Sequence, residues 1–401
     1  MKVLIKPSKA VGEVFAPPSK SMSHRAIICA ALSPESKILN LGSSNDIDRT
    51  LDCLERLGAK IEKEKDAVVI GGFDPLNIPE NASLYAGESG STLRFLIPFC
   101  MLSGGKTQIT GEKRLMERPL SVYEKLAQDL NIELSKKDTT LTVGTGLKSG
   151  EYEVRGDVSS QFITGLIYAL SSLPEKSTLK VLGKLESASY IDLTTSAMSA
   201  FGKKIYRKNN VFEITPDTHY ENTTYTVEGD YSNAAFLDAF NLIGGKVEVL
   251  GLNSSSLQGD MVYVDFYKRL ARGFDTYDLA DCPDLAPVLF ALAALLHGAE
   301  FINTRRLKIK ESDRAEAMRE ELSKVGCEIC VEDNRVVVPK TTLHTPTSPI
   351  SSHNDHRIAM AMSIVLSVLG GEIEGAEAVA KSFPDYFKTL TTLQIGIEYY
   401  A

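Results

Sequence analysis

The sequence predicts an α/β protein of two domains, built from six copies of one unit. Three observations carry this. A pattern of apolar helix, short turn, strand, amphipathic helix and strand recurs at a spacing of roughly 70 residues. Three copies fall before Tyr225–Gly229 and three after it. The chain has 401 residues, more than one core comfortably holds.

The first copy opens at Ser19-Lys20-Ser21, turns at Pro34-Glu35-Ser36-Lys37 and reaches a strand end near Gly42. Ile47, Leu51, Leu54 and Leu57 then share one helical face, and Gly58 stops that helix. The second copy opens at Ser89-Gly90-Ser91-Thr92, turns at Gly104-Gly105-Lys106, passes Gly111 and stops at Asn131. The third runs from Ser159-Ser160-Gln161 through Pro174-Glu175-Lys176 and Gly183 to Gly202. The fourth starts at Ser232-Asn233, turns at Gly244-Gly245-Lys246, passes Gly251 and stops at Gly273. The fifth uses Pro283-Asp284, His297-Gly298, Asn303 and Gly326; the sixth uses Asn354-Asp355-His356, Gly370-Gly371, Gly375 and Gly396. Gly and Asn suit helix stops because the residue past the end often takes a left-handed backbone. Such units are too long and strand-rich for an α-solenoid. An extra strand near residues 2–6 has no place in the first copy. It is expected to complete the second domain, which is then discontinuous: residues 1–16 with 229–401, against 17–228.

The composition is 43% hydrophobic and 24% charged, with net charge −8 and pI near 5.5. That balance argues against a broad nucleic-acid or anionic-membrane surface but leaves room for a small basic pocket. The six cysteines are scattered and read as buried, reduced thiols. Cys327 and Cys330 form a C-x-x-C in GCEICVED, but no partner pair or histidine occurs downstream at zinc spacing. The start of the chain lacks a signal-peptide core. The longest apolar runs, Leu285–Leu296 and Ile358–Leu369, are too short to span a bilayer. The expectation is a cytoplasmic protein.

Each first helix begins with small polar residues that suit an N-cap. Taken singly, they are no more than caps. Taken together, equivalent copies packed alike would aim several positive helix ends the same way, and such ends bind phosphate and carboxylate. Lys20, Arg25, Arg94, Arg118, Lys310, Arg314, Arg357 and Lys381 lie at or near these starts and the second-helix loops. Arg94 and Arg357 open strongly apolar helices, and Arg binds phosphate or carboxylate bidentately. No P-loop and no nucleophile elbow occur. His24, His353 and His356 are candidate acid or base groups.

The motifs PPSKSMSHRA, AGESGSTLRF, TGEKRLMERP, GDVSSQF, SYID, VEGDYSNAAF, Pro283-Asp284, KIKESDR, NDHRIAM and KSFPDYF resemble, in order and over essentially the whole chain, the 5-enolpyruvylshikimate-3-phosphate synthases. The resemblance implies an inside-out α/β fold of two domains, each of three βαβαββ units, with the active site in the interdomain cleft. It implies transfer of the enolpyruvyl group of phosphoenolpyruvate to the 5-hydroxyl of shikimate 3-phosphate, with no metal or organic cofactor. Lys20, Ser21, Arg25, Ser159, Ser160, Gln161, Ser187, Asp284 and Lys310 would hold shikimate 3-phosphate. Lys20, Gly90, Arg118, Gln161, Arg314, Arg357 and Lys381 would hold phosphoenolpyruvate. By this resemblance domain 17–228 carries the shikimate-3-phosphate side and the discontinuous domain the phosphoenolpyruvate side. Asp284 would take the hydroxyl proton; Glu311 and Lys381 are candidates to protonate the methylene carbon, with Lys20 shared between the ligands. Gly90 would leave room for the inhibitor glyphosate. Glu88 and Arg306 depart from the family, which has Asn at the first place and often a neutral Asn at the second. The expected partners are these two small molecules, with no nucleic acid and no membrane, and a monomeric chain. A sister transferase acting on a UDP-linked amino sugar would share the fold. Lys20-Ser21 with Arg25 and the Ser159-Ser160-Gln161 run favour the shikimate enzyme. A non-catalytic paralogue would not need Asp284, Glu311 and Lys381 together.

Overall fold

The computed structural model describes residues 1–400. The chain forms two compact units: a central unit, Pro18–Glu228, and a split unit, Met1–Pro17 with Gly229–Ala401. Pro17 thus groups with the split unit, one residue from the boundary read in the sequence.

The first helices of the six copies are Lys20–Leu32, Gly90–Cys100, Ser160–Leu170, Tyr231–Leu242, Ala286–Leu295 and His356–Leu369. They are apolar around most of their circumference, so a surface position would leave apolar area in water. All of Ala286–Ala294 and His356–Ser367 is buried. The helices therefore form the interior of each unit and the sheets its outer layer. The strands supply the matching pattern. In Glu151–Arg155 only Tyr152 and Val154 are buried, and the charged residues between them face out.

The central unit carries three sheets of one design. Their strand orders are Thr224–Thr226, Ser36–Leu39, Ala67–Gly71, Lys60–Lys63; then Ser83–Tyr85, Thr107–Thr110, Thr140–Val143, Leu134–Lys137; then Glu151–Arg155, Ser177–Leu182, Val211–Ile214, Tyr206–Lys208. The first two strands of each are parallel and the rest antiparallel. A parallel pair needs a long crossover, and in the second and third copies the buried helix provides it.

The split unit repeats this in Thr276–Asp278, Ala299–Ile302, Arg335–Val338, Cys330–Val331 and in Ile350–Ser351, Gly371–Glu374, Lys2–Lys6, Gly396–Tyr400. The shortened fourth copy has one pair, Lys246–Leu250 with Val11–Phe15. Lys2–Lys6 lies between Gly371–Glu374 and Gly396–Tyr400 and pairs antiparallel with both. The start of the chain so completes the last sheet, while Thr224–Thr226 completes the first.

Local capping obeys the repeat with three exceptions, the first being the fourth copy, where Asp230 is the cap and Ser232 and Asn233 lie inside the helix. Ser19, Ser89, Ser159, Asp230 and Asp355 each accept a backbone N–H in the first turn of their helices. In the fifth copy Pro283-Asp284 is not a cap: a 3₁₀ turn, Pro283–Leu285, precedes the helix and no side chain caps it. That leaves the Asp284 carboxylate for other partners. The last helix, Tyr386–Thr392, is stopped not by Gly396, which opens the final strand, but by Gln394 at φ 69°. The C-x-x-C lies outside a regular strand except for Cys330, and all six cysteines are free thiols, five of them buried as expected but Cys330 exposed. Among the described residues no helix is long and apolar enough to cross a membrane.

Val3 and Ile5 point inward from Lys2–Lys6 and are fully buried. Ile5→Ala should destabilise the split unit by about 2–5 kcal/mol, the usual cost of emptying a buried aliphatic site. Denaturant titration monitored by circular dichroism would read this as a transition shifted to lower denaturant.

Candidate active site

In the central unit the polar groups cluster at the N-terminal ends of the buried helices. Lys20 is the first residue of its helix, and its Nζ lies 2.9 Å from Asp46 Oδ2, at the start of the helix Asn45–Arg56. One turn on, Arg25 is almost fully buried. Its Nε donates to Thr194 Oγ1 (3.0 Å), Nη1 to the Ser21 carbonyl (2.7 Å) and Nη2 to the Tyr190 carbonyl (2.8 Å). Arg25 thereby ties the first helix to Ala188–Ala200. That helix starts at Ser187, a buried residue held at φ 55°. A left-handed non-glycine backbone is uncommon and costs about 1–2 kcal/mol, so the surroundings must impose it.

Ser159 Oγ accepts from the Gln161 backbone N–H (3.3 Å). The Gln161 side chain is oriented from both ends: Oε1 accepts from Arg94 Nη1 (2.7 Å) and Nε2 donates to Ser91 Oγ (3.0 Å). Arg94, buried over the Phe162 ring at 5.0 Å, also donates to the Pro119 carbonyl (3.3 Å). It therefore orients Gln161. Arg118 ends the short helix Lys113–Glu117, and its guanidinium lies against Gly90. A Cβ at residue 90 would stand 2.8 Å from Arg118 Nη1. Ser160 is buried, and Glu88 is half-buried just before the Ser89 cap.

His24 belongs to the interior. Its Nδ1 is 2.8 Å from Thr50 Oγ1, and burial, aided by Lys20 and Arg25, pushes the imidazole well below its ordinary range. It stays neutral and packs edge-on to Phe95.

In the split unit the charges converge on Asp284. Its Oδ1 is 3.0 Å from Lys310 Nζ and 2.6 Å from Arg314 Nη1; Oδ2 is 3.5 Å from Arg357 Nη2. Its carbonyl accepts from Arg357 Nη1 (3.2 Å). Burial alone would raise the carboxyl, but Lys310, Arg357 and Arg314 outweigh it and hold the group well below the usual carboxylate range. Burial likewise lowers Lys310, to about 8, against the attraction of Asp284. Arg306, which donates to the Ala280 carbonyl (3.2 Å), adds to that lowering.

Arg314 is only 1% exposed and joins three carboxylates: Asp284, Glu311 and Asp355, the last through Nε at 2.8 Å. Lys381 donates to the Asn354 carbonyl. His356 is buried with Nδ1 3.8 Å from Asp355 Oδ1, and His353 Nε2 is 2.7 Å from Glu321 Oε1. Asp260 is buried, and burial together with the Asp284 charge raises its carboxyl to about 7.

The structure thus brings Asp284, Lys310, Glu311, Arg314, Arg357 and Lys381 into one connected network. It brings Lys20, Ser21, Arg25, Ser159, Gln161, Ser187, Gly90 and Arg118 to the helix starts of the central unit. Asp46, Thr194, Asp260 and the bonding role of Asp355 are not legible in the sequence. Asp355 reads there only as a cap, and nothing local announces its bond to an arginine 41 residues away.

Residues 4–390 match the family model of EPSP synthase (3-phosphoshikimate 1-carboxyvinyltransferase). A 3-phosphoshikimate 1-carboxyvinyltransferase of Clostridium kluyveri is 39% identical over 418 residues, 98% of this chain and 97% of that protein. One from Clostridium beijerinckii is 37% identical over 419 residues, 97% and 96% of the two chains. Two solved structures of EPSP synthase from Acinetobacter baumannii share the fold. Their TM-scores are 0.77 and 0.78, at 22% and 21% identity, covering 99% and 100% of this chain and all of theirs. With the family model matched over nearly its whole length and such relatives equally covered, the chain belongs to the EPSP synthase family.

Proposed function

We infer that this chain transfers the enolpyruvyl group of phosphoenolpyruvate to the 5-hydroxyl of shikimate 3-phosphate and releases phosphate. The observation that carries the reading, in a member of this family, is Asp284: an ionised carboxylate within reach of Lys310, Arg314 and Arg357. Two polyanionic substrates need cations that offset their repulsion, and preorganised cations stabilise charge that develops during reaction.

Asp284 takes the proton of the 5-hydroxyl as that oxygen adds to C2 of phosphoenolpyruvate. The methylene carbon gains a proton and becomes a methyl group; Glu311 and Lys381 are the groups proposed to supply it. The tetrahedral adduct then loses phosphate from C2 and a proton from the methyl, which restores the double bond in the product. A carboxylate gripped by three cations is a weak base. Incoming phosphate and carboxylate groups draw those cations toward themselves, so Asp284 gains proton affinity as the substrates arrive.

Lys20, Ser21, Arg25, Ser159, Ser160, Ser187 and Lys310 hold shikimate 3-phosphate in this assignment. Gly90, Arg118, Arg314, Arg357 and Lys381 hold phosphoenolpyruvate. Gln161 serves both, and so does Lys20. Arg314 also pairs with Asp284, Glu311 and Asp355, so it orients these carboxylates as well. The chain is proposed to act as a monomer in the cytoplasm.

Phosphate release should require both substrates. Release with phosphoenolpyruvate and a UDP-linked amino sugar instead, and none with shikimate 3-phosphate, would replace this reading with the sister reaction. Asp284→Ala should lower kcat by about 10²–10⁴-fold, the range for a lost general base, with smaller changes in either KM. Gly90→Ala would force the Arg118 guanidinium to shift. Steady-state kinetics should show a raised KM for phosphoenolpyruvate, and dose–response curves should show weaker inhibition by glyphosate.

A further inference from the structure

Glu321 is a fully buried carboxylate on the helix Arg314–Ser323. It accepts from His353 Nε2 (2.7 Å), from Lys324 Nζ at both oxygens (2.8 and 3.0 Å) and from the Ser351 backbone N–H (2.9 Å). None of these groups belongs to the machinery assigned above. Glu320, Glu321 and His353 lie close enough together to suggest a metal site, but the Lys324 ammonium occupies both Glu321 oxygens.

The segment that Glu321 grips is strained. His353 and Asn354 stand in succession at φ 51° and 52°, a region that residues with a Cβ rarely adopt. Two such residues in a row persist only where neighbours impose them. Ser351 Oγ accepts from the His353 N–H (3.1 Å) and Ser352 Oγ from the Asn354 N–H (3.2 Å). The His353 ring is anchored by Glu321.

This strained pair leads directly into the charged network around Asp284. The Asn354 carbonyl accepts from Lys381. Asp355 accepts from Arg314 Nε (2.8 Å), Ser312 Oγ (3.1 Å) and the Arg357 backbone N–H (2.9 Å). Relaxation of His353 and Asn354 to ordinary dihedrals would turn the Asn354 carbonyl away from Lys381 and move Asp355 against Arg314.

We propose that Glu321 and His353 form a latch that holds Asn354 and Asp355 in place, making His353 a positioning residue for Lys381, Arg314 and Arg357. The kinetic form of this statement rests on the function proposed above. The charges facing His353 are Glu321, Glu320 (3.9 Å) and, opposing them, Lys324. The hydrogen bond to Glu321 raises the imidazole above its ordinary value, against the effect of burial. The charged latch is therefore complete below about pH 6.5 and weakens as pH rises through the raised folded-state value. The neutral ring keeps an ordinary hydrogen bond.

The test compares wild type, His353→Ala and His353→Gln from about pH 6 to about pH 9. His353→Ala should raise KM for phosphoenolpyruvate about ten-fold, the worth of one charge-assisted hydrogen bond, and change KM for shikimate 3-phosphate by less than about two-fold. His353→Gln can still donate to Glu321, so it should restore most of that KM and flatten its rise toward alkaline pH. An unchanged KM for phosphoenolpyruvate in His353→Ala, an equal loss for both substrates, or no recovery in His353→Gln overturns the latch. If His353→Ala does not fold, the pH profile of His353→Gln decides: a rise as steep as wild type overturns the proposal. Amide hydrogen exchange without substrates separates this idea from the assigned reaction. If wild type released no phosphate, faster exchange at residues 354–357 in His353→Ala would still support the latch, and unchanged exchange would sink it.

Discussion

Six helices that are apolar on nearly every face must be kept from water, and the architecture is the answer to that requirement. Such helices have no solvent side, so strands must cover them and carry the polar surface. Each unit becomes a helical interior wrapped by three small sheets. A buried helix can present polarity only at its ends. The N-terminal ends carry backbone N–H groups without intrahelical partners, and partial positive charge. Lys20, Ser89, Ser159, Asp230 and Asp355 all lie at such ends. Polar and charged side chains are concentrated there because the rest of each helix is committed to packing.

Charge placed at the edge of an apolar interior must be neutralised locally. Arg314 illustrates how this is done. Its guanidinium is buried among Asp284, Glu311 and Asp355. Buried ion pairs of this kind add little net stability, because desolvation offsets the attraction. What they add is geometry, since the planar fork fixes three carboxylates at once. The same logic holds for Arg94, which sets both ends of Gln161 together with Ser91. Arg25 is similar, with three of its five N–H donors directed at Ser21, Tyr190 and Thr194. Several cations that read as ligand contacts are, in the structure, also the struts of their own site.

The fifth copy shows how a repeat acquires a carboxylate at the centre of a charged network. The other first helices begin with a capping side chain. Here Pro283 and a 3₁₀ turn replace the cap, and Asp284 is released toward Lys310, Arg314 and Arg357. A small irregularity in capping thus converts a structural carboxylate into one held ionised among cations. The sixth copy departs differently, with two left-handed residues ahead of its cap.

The periodic features of this protein are legible in its chain alone. The alternation of apolar helices with amphipathic ones, the Gly and Asn stops and the break near Tyr225–Gly229 are local or regularly repeated, and periodicity survives without coordinates. The polar residues at helix starts and most of the cations among them are legible for the same reason. The pairings, by contrast, arise only on folding. Lys20 with Asp46, Arg25 with Thr194, Arg314 with Asp355 and Glu321 with His353 join residues 26, 169, 41 and 32 positions apart. No spacing rule reaches across such intervals. Folding also makes His24 a neutral core residue, keeps Asp284 from serving as a cap, and ends the last helix at Gln394 rather than Gly396. Each of these depends on what lies across the fold, because burial and partner charge set a group's chemistry and neither is a property of the residue's own neighbours in sequence.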